Sequence, residues 1–192
     1  MKNKKGFTLI ELLAVIVILG VLLAIAIPAV AKYINSAKKS TYVDNVQSYV
    51  KAARQEVLIN NSPYALPVNE NEATVIYFKT LSSALDNGGK TSSYGGTFDE
   101  GKSFIVIVNE NNADDPRYVY YIAAIDSKGY GIGTSASAAA ALNYDSLKEA
   151  NIFQLGVGSG YSGTIAVNST VTVSTRSGDT YSTKTPTVKY VY

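Results

Sequence analysis

The chain has 192 residues, enough for one domain with a core once a membrane segment is set aside. It contains no Cys and no His, which excludes disulfides, thiolate chemistry and imidazole catalysis and lowers the odds of an active site. Net charge is +2, but Lys2, Lys4 and Lys5 precede the first apolar residue, and without them 14 basic side chains face 15 acidic ones, so no general polyanion binder is indicated.

Residues 12–31 carry no charged or strongly polar side chain. As a helix rising ~1.5 Å per residue they span a ~30 Å hydrocarbon layer. The lysines ahead of them place the N-terminus on the cytoplasmic side and the remainder outside. An ordinary secretory signal fits the same hydropathy, with Ala29-Val30-Ala31 as its cleavage site.

Two features weigh against that signal. Glu11 sits among Phe7, Leu9, Ile10, Leu12 and Leu13, where a carboxylate hinders insertion by up to ~3 kcal/mol. Helical patterning also continues past Ala31, with Val43, Val46, Val50, Ala53 and Val57 at spacings of three and four. Read as one element, residues 7 to about 59 make a helix of ~80 Å, longer than a small domain needs. Charges along the second part are mostly basic: Lys32, Lys38, Lys39, Lys51 and Arg54 against Asp44 and Glu56.

Gly6-Phe7-Thr8-Leu9-Ile10-Glu11-Leu12-Leu13, after a short Lys-rich leader and before an unbroken apolar run, resembles the class III signal of type IV prepilins. The resemblance is specific over residues 1 to about 31, weaker along the amphipathic stem, and absent from the head. It implies cleavage after Gly6 by a membrane-embedded prepilin peptidase, which also methylates the new amino group of Phe7. It further implies that Glu11 meets the N-terminal ammonium of Phe7 in a neighbouring subunit during assembly. The alternative for Glu11 is that it reaches the headgroups and adds little. Gly20 and Pro28 bracket the weakest stretch of the apolar helix, which the resemblance makes a stretchable segment; the alternative is an ordinary kink.

Turn formers at Asn60-Asn61-Ser62-Pro63 begin the head. A short helix is expected near residues 74–86, then a glycine-marked loop around Asn87-Gly88-Gly89. Phe104 to Val108 and Tyr118 to Ile125 read as central strands, with Tyr130 and Ile132 in a third antiparallel strand. Residues 144–154 suit a short helix. Gly156, Gly158, Gly160 and Gly163 mimic a phosphate cradle but lead to a strand, so no nucleotide site is expected. From Thr164 to Ser174 alternation predicts a half-buried strand, and a C-terminal hairpin turns at Arg176 to Asp179. The 12 Tyr residues beyond position 60 are expected to fill core and edges in place of a disulfide, with an adhesive surface as the alternative. Asp114, Asp115 and Asp126 read as solvated turn acids and not a calcium loop. Asn60-Asn61-Ser62 and Asn168-Ser169-Thr170 match a glycosylation acceptor by pattern only.

The expected fold is α+β: a long N-terminal helix, apolar then amphipathic, packed on an antiparallel β-sheet head. Its parts are a leader (1–6), a membrane and filament-core helix (7–31), its amphipathic continuation (32–60) and a β-rich head (61–192). The reading is a polymerising structural subunit of a type IV pilus that performs no catalysis and needs no cofactor or metal. Its partners would be identical subunits, the prepilin peptidase and methyltransferase, an assembly platform protein with its ATPase, and the membrane before assembly. A pseudopilin of a type II secretion or DNA-uptake machine shares the leader and stem. A secreted binding domain released after Ala31 is the rival of a different class.

Overall fold

A computed structural model describes residues 6–59, 62–81, 85, 90–162 and 165–192. Lys2, Lys4, Lys5, Asn60, Asn61, Asn87 to Gly89, Gly163 and Thr164 lie outside the described residues. The chain divides into two units, Met1–Ala37 and Lys38–Tyr192. Helix α1 (Leu9–Leu58) begins in the first and ends in the second.

In the second unit, α1 buries Tyr42, Val43, Val46, Tyr49, Val50 and Ala53, the three-and-four spacing read from the sequence with two tyrosines added. This edge covers one face of a seven-stranded, mostly antiparallel sheet. The strands are β1 (Glu72–Tyr77), β2 (Phe104–Asn109), β3 (Tyr118–Ala123), β6 (Ala141–Asn143), β8 (Val173–Ser177), β9 (Thr180–Lys184) and β10 (Thr187–Val191), in the order β10-β1-β2-β3-β6-β8-β9. All six residues of β2 are buried. Ile105 and Ile107 point into the core under α1, while Phe104, Val106 and Val108 join Tyr121, Val173 and Val188 in a second core on the other face. Two-sided burial explains why this strand is apolar without alternation.

The second core exists because the sheet curls. Strands β9 and β10 are joined by only Thr185 and Pro186, yet lie at opposite ends of the strand order. The segment before β8 completes the turn, with Val171 N–H donating to Pro186 O (3.1 Å) and Val188 N–H to Ser169 O (2.8 Å).

Several expectations for the head are corrected. Residues 72–77 form strand β1, and among the described residues of this stretch helix is limited to one turn, α2 (Phe78–Leu81). The β-branched and aromatic run Thr74 to Tyr77 fits a strand held between β2 and β10, and that pairing overrides the weak helical pattern. The third antiparallel strand beside β3 is β6, while β4 (Tyr130–Ser135) forms a second sheet with β5 (Ala138–Ala139) and β7 (Ile152–Gln154). Glycine permits this crossing: a Cβ at Gly131 would lie 2.7 Å from Ala124 O.

Residues 144–154 make two 3-10 turns, Tyr144–Ser146 and Glu149–Asn151, followed by β7. The side chains of Asn143 and Asn151 accept from Asp145 N–H (2.8 Å) and Lys148 N–H (3.1 Å), local bonds that compete with a continuous helix. The strand expected from Thr164 starts only at Val173. Val167 is exposed, and Asn168 takes a left-handed φ of 66° so that its N–H reaches Val188 O. The hairpin at Gly178-Asp179 joins β8 and β9, but the final run leaves it: β10 pairs parallel with β1.

Of the 12 tyrosines beyond position 60, Tyr121 is buried and most others pack half-buried at the edges of the core, whose centre takes Tyr42 and Tyr49 from α1. Tyr49 stacks on Phe78 at 3.7 Å, Tyr94 on Tyr130 at 3.6 Å, and Tyr42 meets Phe98 edge-on at 5.2 Å. Tyr192 packs edge-on against Tyr64 and its hydroxyl accepts from Ala65 N–H (2.9 Å), which ties down the C-terminus.

Candidate functional site

The first unit carries the sequence-predicted site residues. Gly6, Phe7 and Thr8 are exposed and non-helical, and α1 starts at Leu9. A Cβ added at Gly6 or at Gly20 would meet nothing within 4 Å. Among the described residues no packing therefore requires glycine at either position, although Gly20 costs a helix about 1 kcal/mol relative to Ala.

Thr8 and Glu11 form a reciprocal cap at the start of α1. The Glu11 carboxylate accepts from Thr8 N–H (2.7 Å) and from the Thr8 hydroxyl (2.8 Å), while Thr8 Oγ1 accepts from Glu11 N–H (3.3 Å). This is a capping box, and its signal, Thr-x-x-Glu ahead of an apolar run, stands at residues 8–11. Thr8, given no role from the sequence, thus caps the helix together with Glu11, which the sequence presents only as a charge. Both bonds fall on one carboxylate oxygen, Oε2; among the described residues the other oxygen accepts none.

Beyond the cap, α1 carries no charged side chain from Leu12 to Ala31 and is exposed there. Leu9 is 83% exposed, Ile25 71% and Ile34 48%, and the helix is long and apolar enough to cross a membrane. Gly20 and Pro28 lie inside this continuous helix. Pro28 cannot donate to the carbonyl four residues earlier, so the ladder is weakened there without being broken.

Residues 1–27 match the family described as the prokaryotic N-terminal methylation motif. The chain carries the N-terminal motif of the class III signal prepilins. A fimbrial protein of Pseudomonas aeruginosa is 36% identical over 91 residues, covering 47% of this chain and 58% of the relative. A type IV major alpha-pilin of Moraxella bovis is 38% identical over 93 residues, covering 48% and 51%. A fimbrial protein of Moraxella nonliquefaciens is 47% identical over 58 residues, covering 29% and 38%. The chain thus spans little more than half the length of the first two relatives, and less of the third. No solved structure matches the chain.

The prepilin motif leaves the head's polar groups to be explained by the fold. Asp126 is a correction: it is buried and not solvated, accepting from the backbone N–H of Lys128 and Tyr130 (both 2.9 Å) and from the Ser92 hydroxyl. It closes the turn into β4. Asp114 and Asp115 are exposed on the loop between β2 and β3. Among the described residues no three His, Cys, Asp or Glu side chains cluster as a metal site.

Glu110 is the charged hub of the head. Its carboxylate accepts from Lys184 Nζ (2.8 Å), Arg117 (2.8 Å) and the Tyr121 hydroxyl (2.9 Å). Burial pushes its pKa up, but the hydrogen bonds from Lys184, Tyr121 and Arg117 outweigh burial and hold the carboxyl below its ordinary range. Lys184 shifts the complementary way, upward, chiefly through its bond to Glu110. The hub ties the end of β2 to edge strand β9.

Proposed function

We propose that the chain is a structural subunit of a type IV pilus, cut after Gly6 and polymerised through α1 into a surface filament serving adhesion, motility or biofilm formation. The observation that carries this reading is the conjunction of a prepilin motif over residues 1–27 with a helix whose apolar side chains find no cover in their own chain. Exposed Leu, Ile and Val at that density are stable only in lipid or against other apolar stems.

Lipid holds the subunit before assembly, with the head outside, and identical stems replace lipid in the filament. A prepilin peptidase reaches the non-helical Gly6-Phe7 bond and methylates Phe7; a platform protein and ATPase drive assembly. Glu11, free on one carboxylate oxygen, pairs with the ammonium of Phe7 in a neighbour, since an unpaired charge among apolar stems costs several kcal/mol. The stretch from Gly20 to Pro28 is where the helix yields under tension.

N-terminal sequencing and intact mass of the protein from producing cells test the reading. The expected result is a mature chain beginning at a methylated Phe7. A chain beginning at Lys32 would sink it in favour of a secreted head.

A further inference from the structure

Arg54 lies on the part of α1 that covers the sheet. Its guanidinium lies over two rings, 4.5 Å from the centroid of Tyr120 on β3 and 4.6 Å from that of Tyr144 in the first 3-10 turn. Its Nε is buried without a hydrogen-bond partner. Among the described residues no carboxylate pairs with it, whereas Arg117 and Arg176 each hold one. Contact with two rings restricts the guanidinium, and Arg54 is only half-buried, so part of the rotamer entropy of recognition has already been lost in a group that still reaches the surface. Such a group fits a carboxylate brought from outside, which it would meet with two parallel hydrogen bonds.

The chain itself offers such carboxylates. Asp114 and Asp115 are adjacent, exposed and in no ion pair among the described residues; the Asp115 carboxylate has one long contact, 3.4 Å from Asn111 Nδ2. A helical polymer joins two different patches of the same chain, each copy supplying both. We propose that Arg54 of one copy docks the Asp114–Asp115 loop of a second copy in the filament. The contact rests on the pilus reading, and it adds register between heads to whatever the apolar stems provide.

The test uses the full chain in producing cells. Three variants are compared: Arg54→Gln, the double reversal Asp114→Lys with Asp115→Lys, and the exchange Arg54→Glu with Asp114→Arg and Asp115→Arg. The loop reversal sits on an exposed turn away from the two rings, so it reads assembly even where Arg54→Gln disturbs folding. It should lower the ratio of sheared filament to cell-held subunit about tenfold, with the unfolding midpoint of the extracted chain unchanged. The exchange should restore most of that ratio. Wild-type filament ratio in the loop reversal overturns the contact alone. Absence of sheared filament from the unmodified chain overturns the polymer, and the contact with it.

Discussion

The two parts of α1 share one helical geometry and opposite fates. Between Leu9 and Ile34 every large apolar side chain is about half exposed or more, on all sides of the helix. Between Tyr42 and Ala53 the apolar residues are confined to one edge and buried, while Asp44 and Lys51 face solvent. Apolar surface leaves water with a gain of roughly 25 cal/mol per Å², so the first part gains nothing until a second body arrives. The second part has already taken its gain from the sheet. Substitutions of the apolar residues in the first part should therefore register in assembly, and those of the buried apolar residues in the second part in folding.

The largest effect that sharpens this contrast is expected from Glu11→Ala. Removing one partner of a charge pair buried among apolar stems costs about 3–5 kcal/mol, which corresponds to at least ~100-fold in assembly. The variant should still be cut after Gly6, remain in the membrane and keep the head's unfolding midpoint. Loss of the Thr8 cap adds only a few tenths of a kcal/mol to a kcal/mol of local fraying. Sheared filament yield is the measurement, and an undiminished yield would show that charge pairing at Glu11 is dispensable.

The counterpart in the second part is Tyr49. It is fully buried, stacked on Phe78 and edge-on to Phe98 at 5.8 Å. Tyr49→Ala should cost about 3–5 kcal/mol in urea unfolding followed by near-ultraviolet circular dichroism, which reads tyrosine packing. Its hydroxyl, by contrast, has no hydrogen-bond partner. Burial, and to a lesser extent Glu100, pushes its pKa up to about 12. Tyr49→Phe removes an unsatisfied polar atom and keeps the stack, so it should be neutral or stabilising by up to ~1 kcal/mol. Equal losses in the two variants would mean that the hydroxyl, and not the ring, carries the effect. Neither substitution should alter the proposed cleavage after Gly6, a position in the other unit.

How much was legible in the sequence follows the same division. The apolar run of the first unit was readable because its signal is local and requires no knowledge of what lies across the fold, whereas the Thr8–Glu11 cap, equally local, was passed over. The strand β2 and the stem edge from Val43 to Val57 were readable for the same reason. The head's topology was not, because it is decided by pairings between distant residues. Nothing near Thr74 announces that β10 will arrive beside it from Thr187, and nothing near Tyr130 announces that Gly131 lets the chain cross against Ala124. Asp126 misled for a related reason: a turn acid is usually solvated, and only the fold brings Ser92 onto it. Arg54 read as one more stem charge until the fold brought Tyr120 and Tyr144 to it.

The smallest expected effect lies at Glu110, where the head's charges meet. The carboxyl is mostly buried, but Arg117 and Lys184 are 71% and 51% exposed, so solvent screens much of the attraction. Because the folded pKa lies below the ordinary value of 4.5, the unfolded chain binds more protons as pH falls through that range. The contribution is therefore complete above the ordinary carboxylate range and lost as pH drops through the folded value. Screening limits it to about 1 kcal/mol or less. Urea midpoints of the wild type should fall more steeply between about pH 5 and pH 3 than those of Glu110→Gln, which begins slightly lower at neutral pH and has no carboxylate to titrate there. Parallel curves would show that the donors around Glu110 serve geometry alone, and that the edge strand β9 is held by its ladder to β8 without help from charge.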